Sequence, residues 1–126
     1  MFAIEGIDHI VLNTTCIDKM IEFYCNLLQC HIENKQPELG LTQLRAGNQL
    51  IDLVEVSHPI SKDHTNMNHF CLNIKPFDFD LLKVYFEQNN IPISRYGERY
   101  GARGMRYSFY LKDPEGNEIE LRDSRH

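Results

Sequence analysis

The chain has 126 residues, of which 42% are hydrophobic, and a formal net charge of −5 at pH 7. That length and hydrophobic content suffice for one folded domain with a buried core, which excludes an intrinsically disordered protein. The Lys and Arg residues are scattered along the sequence, which argues against nucleic-acid and membrane partners because both require a basic face. The sequence has no apolar run of about 18 residues and no signal-like start, so we expect a cytoplasmic protein.

An internal repeat organises the chain. The segment Asp8-His9-Ile10-Val11-Leu12-Asn13 has a counterpart 60 positions later in Asn68-His69-Phe70-Cys71-Leu72-Asn73. Both segments are short runs of β-branched and apolar residues, which predict strands. We therefore expect a single domain, 1–126, built from module one at about 5–57, a polar linker at 58–66 and module two at about 67–123.

In each module the first strand is followed by a helix and three short strands. Module one has a predicted helix at about 17–28, capped by Thr14 or Thr15, and strands at about 30–34, 41–46 and 49–57. Module two has a helix at about 78–89 with the apolar stripe Leu81, Leu82, Tyr85 and Phe86, and strands at about 93–96, 105–112 and 117–122. The Asp113-Pro114-Glu115-Gly116-Asn117 stretch predicts a hairpin turn. These elements predict an α+β fold of two βαβββ modules with a central groove.

Side-chain alternation along the strands selects four polar residues. His9 and His69 lie opposite the apolar residues of their strands, as do Asp52 and Glu120 in the closing strands. Alone, a strand histidine or carboxylate is more often a structural or solvated residue. Two histidines and two carboxylates at matched positions of two repeats are a ligand set for a divalent metal.

Four segments resemble the vicinal-oxygen-chelate superfamily, namely residues 8–12, 23–24, 68–70 and 108–121. This superfamily includes glyoxalase I, fosfomycin- and bleomycin-resistance proteins, and extradiol dioxygenases. The resemblance extends from about Gly6 to Arg122. It implies the groove-like, half-open barrel of the glyoxalase/bleomycin-resistance type, and it implies a homodimer whose site forms either within one chain or across the interface.

The resemblance also implies a divalent metal ion, Zn, Ni, Mn or Fe, held by His9, His69 and Glu120. The fourth ligand position, a glutamate in glyoxalase I, is occupied here by Asp52. Because aspartate is one methylene shorter, Asp52 is expected to bind directly, to bind through water, or to act as the proton-transfer base. Glu120 and Asp52 are thus the candidate catalytic carboxylates, and Glu55, which has the opposite parity, ranks below Asp52.

The implied function is that of a glyoxalase-like lyase or isomerase whose small substrate chelates the metal through two adjacent oxygens. Ring-cleaving dioxygenases match less well because Arg103 occupies the place of their catalytic histidine. Epoxide-opening fosfomycin enzymes match less well because Val11 replaces their threonine. A drug- or metabolite-binding protein of the bleomycin-resistance type is the non-catalytic alternative, although the four filled ligand positions favour an enzyme.

Three further residues are candidates for binding the substrate. Arg103 lies in Gly101-Ala102-Arg103-Gly104, which we interpret as a flexible loop that clamps an anionic substrate or, alternatively, as a solvated hairpin loop. Ser108 and Tyr110 share one face of a strand and are expected to line the pocket. Other residues receive no site role: the linker histidines His58 and His64, the cysteines Cys16, Cys25, Cys30 and Cys71, expected to be buried free thiols, and the frayed tail Arg122, Arg125 and His126.

Overall fold

The structure is a computed structural model that describes residues 1, 3, 7–61 and 67–125. The chain divides into two compact units, Met1–Ser61 (unit 1) and Lys62–His126 (unit 2). Each unit contains one four-stranded sheet and begins its sheet at the repeated histidine segment. The predicted α+β fold of two tandem modules is therefore confirmed. Residues 62–66 of the predicted linker, with His64, lie outside the described residues.

Unit 1 contains β1 (His9–Thr14), α1 (Ile17–Ile21), a π-helix (Glu22–Leu27), β2 (His31–Gln36), a 3-10 helix (Pro37–Leu39), β3 (Leu41–Ala46) and β4 (Gln49–Glu55). The strand order is β1-β4-β3-β2. The β1–β4 pair is parallel and the other two pairs are antiparallel. The first and last strands of the unit are therefore neighbours.

Unit 2 contains β5 (Phe70–Ile74), α2 (Phe79–Gln88), β6 (Ser94–Gly101), β7 (Gly104–Lys112) and β8 (Glu118–Asp123). Its strand order is β5-β8-β7-β6, with β5 parallel to β8. This is the topology of unit 1. Neither unit has, within the described residues, a helix long and apolar enough to cross a membrane.

The helix of unit 1 has the predicted extent but not the predicted type. The α-helix ends at Ile21 and the chain continues as a π-helix to Leu27. The N-cap is Cys16, whose backbone N–H donates to the Thr14 hydroxyl at 2.9 Å. The predicted cap at Thr14 or Thr15 was therefore wrong by one or two positions. Thr14 is the last residue of β1, and its hydroxyl accepts a hydrogen bond from the N-cap residue instead of capping the helix itself.

The helix of unit 2 begins as predicted. Asp78 is its N-cap and accepts a hydrogen bond from the Leu81 N–H at 3.2 Å. Phe86 is buried and packs against Phe109 with their ring centroids 6.0 Å apart. Leu81 is 69% exposed, so its place in the buried stripe was wrong. Leu82 and Phe86 lie four positions apart on the sheet side, and Leu81 lies about 100° around the helix from Leu82.

The β6–β7 connection is a tight turn rather than a loop. Gly101 pairs with Gly104, which leaves Ala102 and Arg103 as a two-residue turn. Gly104 has a φ of 90°, a conformation that glycine adopts without strain. Of the two predicted alternatives, a flexible loop and a hairpin loop, the structure has the hairpin, because β6 continues its pairing with β7 well past Tyr96.

The β7–β8 turn is organised by Asp113, in agreement with the predicted hairpin. Its Oδ1 accepts hydrogen bonds from the backbone N–H groups of Glu115 and Asn117, each at 2.9 Å. Its Oδ2 accepts from the Asn117 side chain at 2.8 Å. Gly116 provides the positive φ of 85° that the turn requires.

The buried apolar residues follow the predicted strand faces. In the strands they include Leu12, Leu44, Ile51 and Leu53 in unit 1, and Phe109, Leu111, Ile119 and Leu121 in unit 2. All four cysteines are free, but only Cys30 is buried. Cys71 is exposed because it lies on the His69 side of β5, opposite Phe70 and Leu72, so its predicted burial was wrong.

Candidate metal and substrate site

The repeated histidine of each unit is held by the side chain of the residue before it. His9 Nδ1 lies 2.7 Å from Asp8 Oδ1, and His69 Nδ1 lies 2.7 Å from Asn68 Oδ1. Carboxylate and amide oxygens accept hydrogen bonds, so Nδ1 is the protonated nitrogen in both rings. The lone pair of Nε2 is then available to a metal ion or a proton.

The hydrogen bond with Asp8 also favours the protonated form of His9. It is the main cause that raises the pKa of His9. Desolvation opposes this effect, and the negative charges of Asp52 and Asp8 add to it. His9 and Asp52 are thus electrostatically linked within unit 1, where Val11 of β1 pairs with Asp52 of β4.

In unit 2 the free nitrogen of His69 faces a carboxylate. His69 Nε2 lies 3.3 Å from Glu120 Oε1. A nitrogen lone pair and a carboxylate oxygen repel each other at this distance unless a positive charge lies between them. The pair therefore suits a cation, either a proton on Nε2 or a metal ion shared by both groups.

Glu120 is 6% exposed and lies among donors. Tyr110 donates its hydroxyl to Glu120 Oε1 at 2.9 Å, and Arg122 Nη1 lies 3.6 Å from Oε2. Burial raises the pKa of Glu120, but its interactions with Ser108, Tyr110, His69 and Arg122 lower it by more, so the net pKa is below its usual range. The carboxylate is therefore held ionised, as a metal ligand must be.

Ser108 lies next to Glu120 with its hydroxyl fully buried. Within the described residues, Ser108 Oγ has no partner with full hydrogen-bond geometry, although it is close enough to lower the pKa of Glu120. The Arg99 Nη1 is the other buried side-chain donor of the described residues that has no partner. Unpaired buried donors are costly in a folded protein, and they occur where a ligand or an ordered water completes the pairing.

Two arginines from β6 lie against the ring of Tyr110. The guanidinium carbon of Arg95 is 3.9 Å from the ring centroid and that of Arg99 is 5.2 Å from it. The β6–β7 register shifts between Ser94 and Gly97, and Arg95 has a φ of 52°. This β-bulge directs Arg95 onto the face that carries Tyr110. No signal in the sequence indicated the bulge.

In unit 1 the second carboxylate, Asp52, is 5% exposed and is held by an amide. Gln43 Nε2 lies 3.3 Å from Asp52 Oδ1 and 3.2 Å from Oδ2. Asn34 Nδ2 donates to Gln43 Oε1 at 3.2 Å. The Asn34 bond fixes the orientation of the Gln43 amide, so that its NH₂ group faces the carboxylate.

The internal repeat extends to the residues that hold these carboxylates. Gln43 of β3 is the cross-strand partner of Asp52, and Tyr110 of β7 is the cross-strand partner of Glu120. Tyr110 was predicted from the sequence as a site residue, whereas Gln43 was not. Alignment of the two predicted hairpins on their carboxylates would have found Gln43.

A cavity of about 200 Å³ lies in unit 2, lined by Cys71, Asn73, Tyr100, Gly101, Ala102, Arg103, Glu120 and Arg122. Arg103 thus lines the same cavity as Glu120, and its role in substrate binding stays a prediction. Arg122 is 4% exposed and belongs to β8. Its prediction as part of a frayed tail was wrong, because β8 continues its pairing with β5 up to Asp123. Arg125 is hydrogen-bonded to Asp123, and His126 lies outside the described residues.

The candidate ligands thus occur as one histidine and one carboxylate in each unit, His9 with Asp52 and His69 with Glu120. Each unit supplies nitrogen and oxygen donors, which fit a divalent transition metal. Within the described part of the chain, no three His, Cys, Asp or Glu side chains form a ready-made metal cluster.

Known proteins and solved structures share the fold of this chain. A glyoxalase domain-containing protein of Mycosarcoma maydis is 29% identical over 129 residues, which cover 94% of this chain and 68% of that protein. A structure from the mobile metagenome of V. Pseudocholerae is 27% identical, with a TM-score of 0.80 over 100% of this chain and 99% of that chain.

A lactoylglutathione lyase from Agrobacterium tumefaciens shares the fold, with 24% identity and a TM-score of 0.70 over 95% of this chain and 94% of that chain. The family profile described as the Glyoxalase/Bleomycin resistance protein/Dioxygenase superfamily matches residues 6–121. That match spans both units and includes all four candidate ligands. The chain belongs to the Glyoxalase/Bleomycin resistance protein/Dioxygenase superfamily.

Proposed function

We propose that this protein is a divalent-metal-dependent lyase or isomerase of the glyoxalase type, acting on a small substrate with two adjacent oxygens. The observation that carries the proposal is the His69–Glu120 pair, in which Nε2 lies 3.3 Å from the carboxylate while Nδ1 is bound by Asn68. The same arrangement at Asp8 and His9 in unit 1 supports it, because a ligand histidine needs its other nitrogen held in this way.

The candidate metal ligands of this proposal are His9 and Asp52 in unit 1 and His69 and Glu120 in unit 2. Two imidazoles and two carboxylates suit Zn, Ni, Mn and Fe. Bound there, the cation would polarise a substrate carbonyl and stabilise the negative charge that develops on its oxygen.

The protein's own groups would carry the remaining steps. Asp52, oriented by Gln43, is the candidate base that takes a proton from the carbon next to the carbonyl and returns it to the product. Glu120, kept ionised by Tyr110 and Ser108, is the candidate ligand and second catalytic carboxylate. Arg103 at the cavity wall would attract an anionic group of the substrate.

The substrate of the lactoylglutathione lyase is not transferred to this chain, because 24% identity carries only the fold. We further propose a homodimer, since members of this superfamily often dimerise. Sedimentation at two protein concentrations tests the homodimer. A cytoplasmic location stays a prediction from the sequence.

The metal is the part of the proposal that is tested first. Protein purified without chelator is expected to contain stoichiometric metal, and the metal-free protein is expected to melt at higher temperature when Zn²⁺, Ni²⁺, Mn²⁺ or Fe²⁺ is added. A ligand present at 100 times its Kd stabilises a folded protein by about 2.7 kcal/mol, which is readily measured.

Two histidine variants provide the matched comparison. His69→Ala is expected to abolish metal binding, whereas His58→Ala, an exposed residue outside the strands, is expected to leave it unchanged. Equal effects of the two substitutions would show that the site is misplaced. A protein with no bound metal and no thermal shift with any of the four ions would instead favour the metal-free binding class.

A further inference from the structure

The cavity of unit 2 is lined by the proposed metal ligand Glu120 and by residues that are not proposed to bind the metal. Four of its lining residues, Cys71, Asn73, Glu120 and Arg122, come from the paired strands β5 and β8. The turn at 100–103 provides the rest of the wall. Two guanidinium groups, those of Arg103 and Arg122, therefore border one small space.

Arg122 is buried, and its guanidinium group contacts two backbone carbonyls and one carboxylate. Its Nη2 donates to the backbone carbonyl of Arg99 at 2.9 Å and also to the carbonyl of Gly104. Its Nη1 forms an ion pair with Glu120 Oε2 at 3.6 Å. The carbonyls fix the position of the guanidinium group without neutralising it, and Glu120 offsets one positive charge of the cavity.

The backbone near the turn is shaped around this guanidinium group. A Cβ atom added at Gly101 would lie 2.6 Å from the Arg122 Cζ. Only glycine permits such a close approach of the backbone to the arginine plane. The position of Arg122 is therefore built into the hairpin and is not one rotamer of a mobile surface arginine.

Arg103 provides the second charge and is also bound to a neutral group. Its Nη1 donates to the carbonyl of Ser124 at 3.1 Å. The lining residues contain two arginines and one carboxylate, Glu120, which gives a net charge of 2 − 1 = +1. A monoanion would neutralise this charge, whereas a dianion would leave an uncompensated negative charge next to Glu120.

The volume of the cavity indicates a small ligand. At about 30 Å³ for each water-sized group, about 200 Å³ holds roughly six or seven such groups. That is the size of a carboxylic acid with three or four carbons. Because Glu120 borders the cavity and also faces His69, a polar atom next to the carboxylate would approach the proposed metal-binding pair.

We propose that this cavity binds a small 2-hydroxy or 2-oxo monocarboxylate, with its carboxylate on Arg122 and Arg103 and its C2 oxygen toward Glu120 and His69. The proposal deepens the proposed function by naming its substrate class, and its C2 oxygen assignment rests on that function. The carboxylate site itself does not need the metal.

The test measures binding to the metal-free protein by thermal shift and calorimetry. Lactate and pyruvate are expected to bind, with propionate weaker because it lacks the C2 oxygen, and with 1,2-propanediol not binding because it lacks the charge. Inorganic phosphate is expected to bind more weakly than lactate. Phosphate binding tighter than lactate, or lactate binding no better than the diol, would overturn the proposal.

Arginine variants locate the site. Arg122→Lys and Arg103→Gln are each expected to raise the Kd for lactate at least ten-fold, because neither replacement reproduces a guanidinium fork. Arg45→Gln, which removes a surface arginine paired with Glu33 in unit 1, is the control and is expected to leave the Kd unchanged. Arg103 is exposed, so its variant tests the proposal even where Arg122→Lys folds poorly. An unchanged Kd in folded Arg103→Gln and Arg122→Lys, or an equal loss in Arg45→Gln, would refute the assignment.

The two proposals fail separately. If lactate binds the metal-free protein and no metal does, the carboxylate site stands and the metal-dependent function is wrong. A second outcome is that a metal binds, that His69→Ala abolishes this binding, and that lactate binds neither the metal-free nor the metal-loaded protein. In that case the carboxylate site is wrong and the metal-dependent function stands.

Discussion

Gln43 binds both carboxylate oxygens of Asp52 through a single nitrogen, at 3.3 Å and 3.2 Å. An atom nearly equidistant from the two oxygens lies at the edge that a bidentate metal ion would occupy. Each Asp52 oxygen therefore keeps only the lone pairs that point away from Gln43. This geometry suits binding of a metal ion through one oxygen, or proton transfer.

Replacement of Gln43 tests this positioning role. Gln43→Ala should lower the affinity for metal by about 10- to 100-fold, as is typical when a partner of a ligand is lost. Calorimetry of the metal-free protein measures the affinity, and Gln49→Ala, at the exposed start of β4, is the control. Gln43→Glu should be worse than Gln43→Ala because it places a second carboxylate beside Asp52. If both Gln43 variants bind metal as the parent does, Asp52 needs no such orientation.

Tyr110 should contribute to stability as well as to the site. Its hydroxyl donates to the buried, ionised Glu120, so Tyr110→Phe should lower the free energy of unfolding by about 1.5–3 kcal/mol. Tyr107→Phe removes a hydroxyl that interacts with Glu98 on a side chain that is 42% exposed, and it should lower the free energy of unfolding much less. Urea denaturation of the metal-free proteins gives both values, and similar losses would contradict the special position of Tyr110.

Gly101→Ala should disturb the hairpin and the cavity together. The new methyl group would lie 2.6 Å from the Arg122 Cζ, and this overpacking should cost about 1–3 kcal/mol of stability. Gly97→Ala is the control, since its nearest neighbour is the end of the Arg99 side chain at 3.3 Å, which can shift. A thermal-melting comparison checks this, and an unchanged melting temperature for Gly101→Ala would mean that Arg122 is free to move.

The thiol of Cys30 gives a dependence on pH that does not involve the proposed site. Burial, with a smaller effect of Cys25, raises the pKa of Cys30 to about 11 from 9.0. A raised pKa for an acid favours the neutral form in the folded protein. Its contribution to stability is therefore complete below about pH 9 and is lost as the pH rises toward 11.

Alkylation of Cys30 by iodoacetamide, followed by mass spectrometry, measures this. In the folded protein the rate at pH 8 should be about 100-fold below that of the urea-unfolded chain, since two pKa units separate them. The rate should rise with a midpoint near pH 11. A midpoint near 9 would show that the Cys30 environment is not desolvated.

The positions of the four candidate ligands followed from the sequence because strand alternation and the repeat are local properties. His69 and Glu120 are adjacent in the structure as the parity argument required. The burial of Arg122 could not be predicted from local patterns. It depends on the pairing of β8 with β5 through Ile74 and Asp123, two residues far apart in sequence. Long-range pairing of this kind decides which polar residues near a terminus become buried.

Gln43 and Arg95 were missed for related reasons. Gln43 is polar in a strand, and only the cross-strand register shows that it faces Asp52. Arg95 reaches the Tyr110 ring because of a bulge, which breaks the two-residue alternation on which the prediction relied. The π-helical segment after Ile21 has the same apolar spacing as an α-helix, so hydrophobic periodicity did not distinguish the two.

The turn centred on Asp113 determines more than the path of the chain. Its three side-chain hydrogen bonds fix the number of residues between Tyr110 and Glu120, which face each other across the hairpin. Because strand side chains alternate, one inserted residue would move Glu120 into the apolar layer beside Phe109. The length of this turn therefore decides on which face of the sheet Glu120 lies. An insertion in the turn could abolish ligand binding without altering any residue that contacts the ligand.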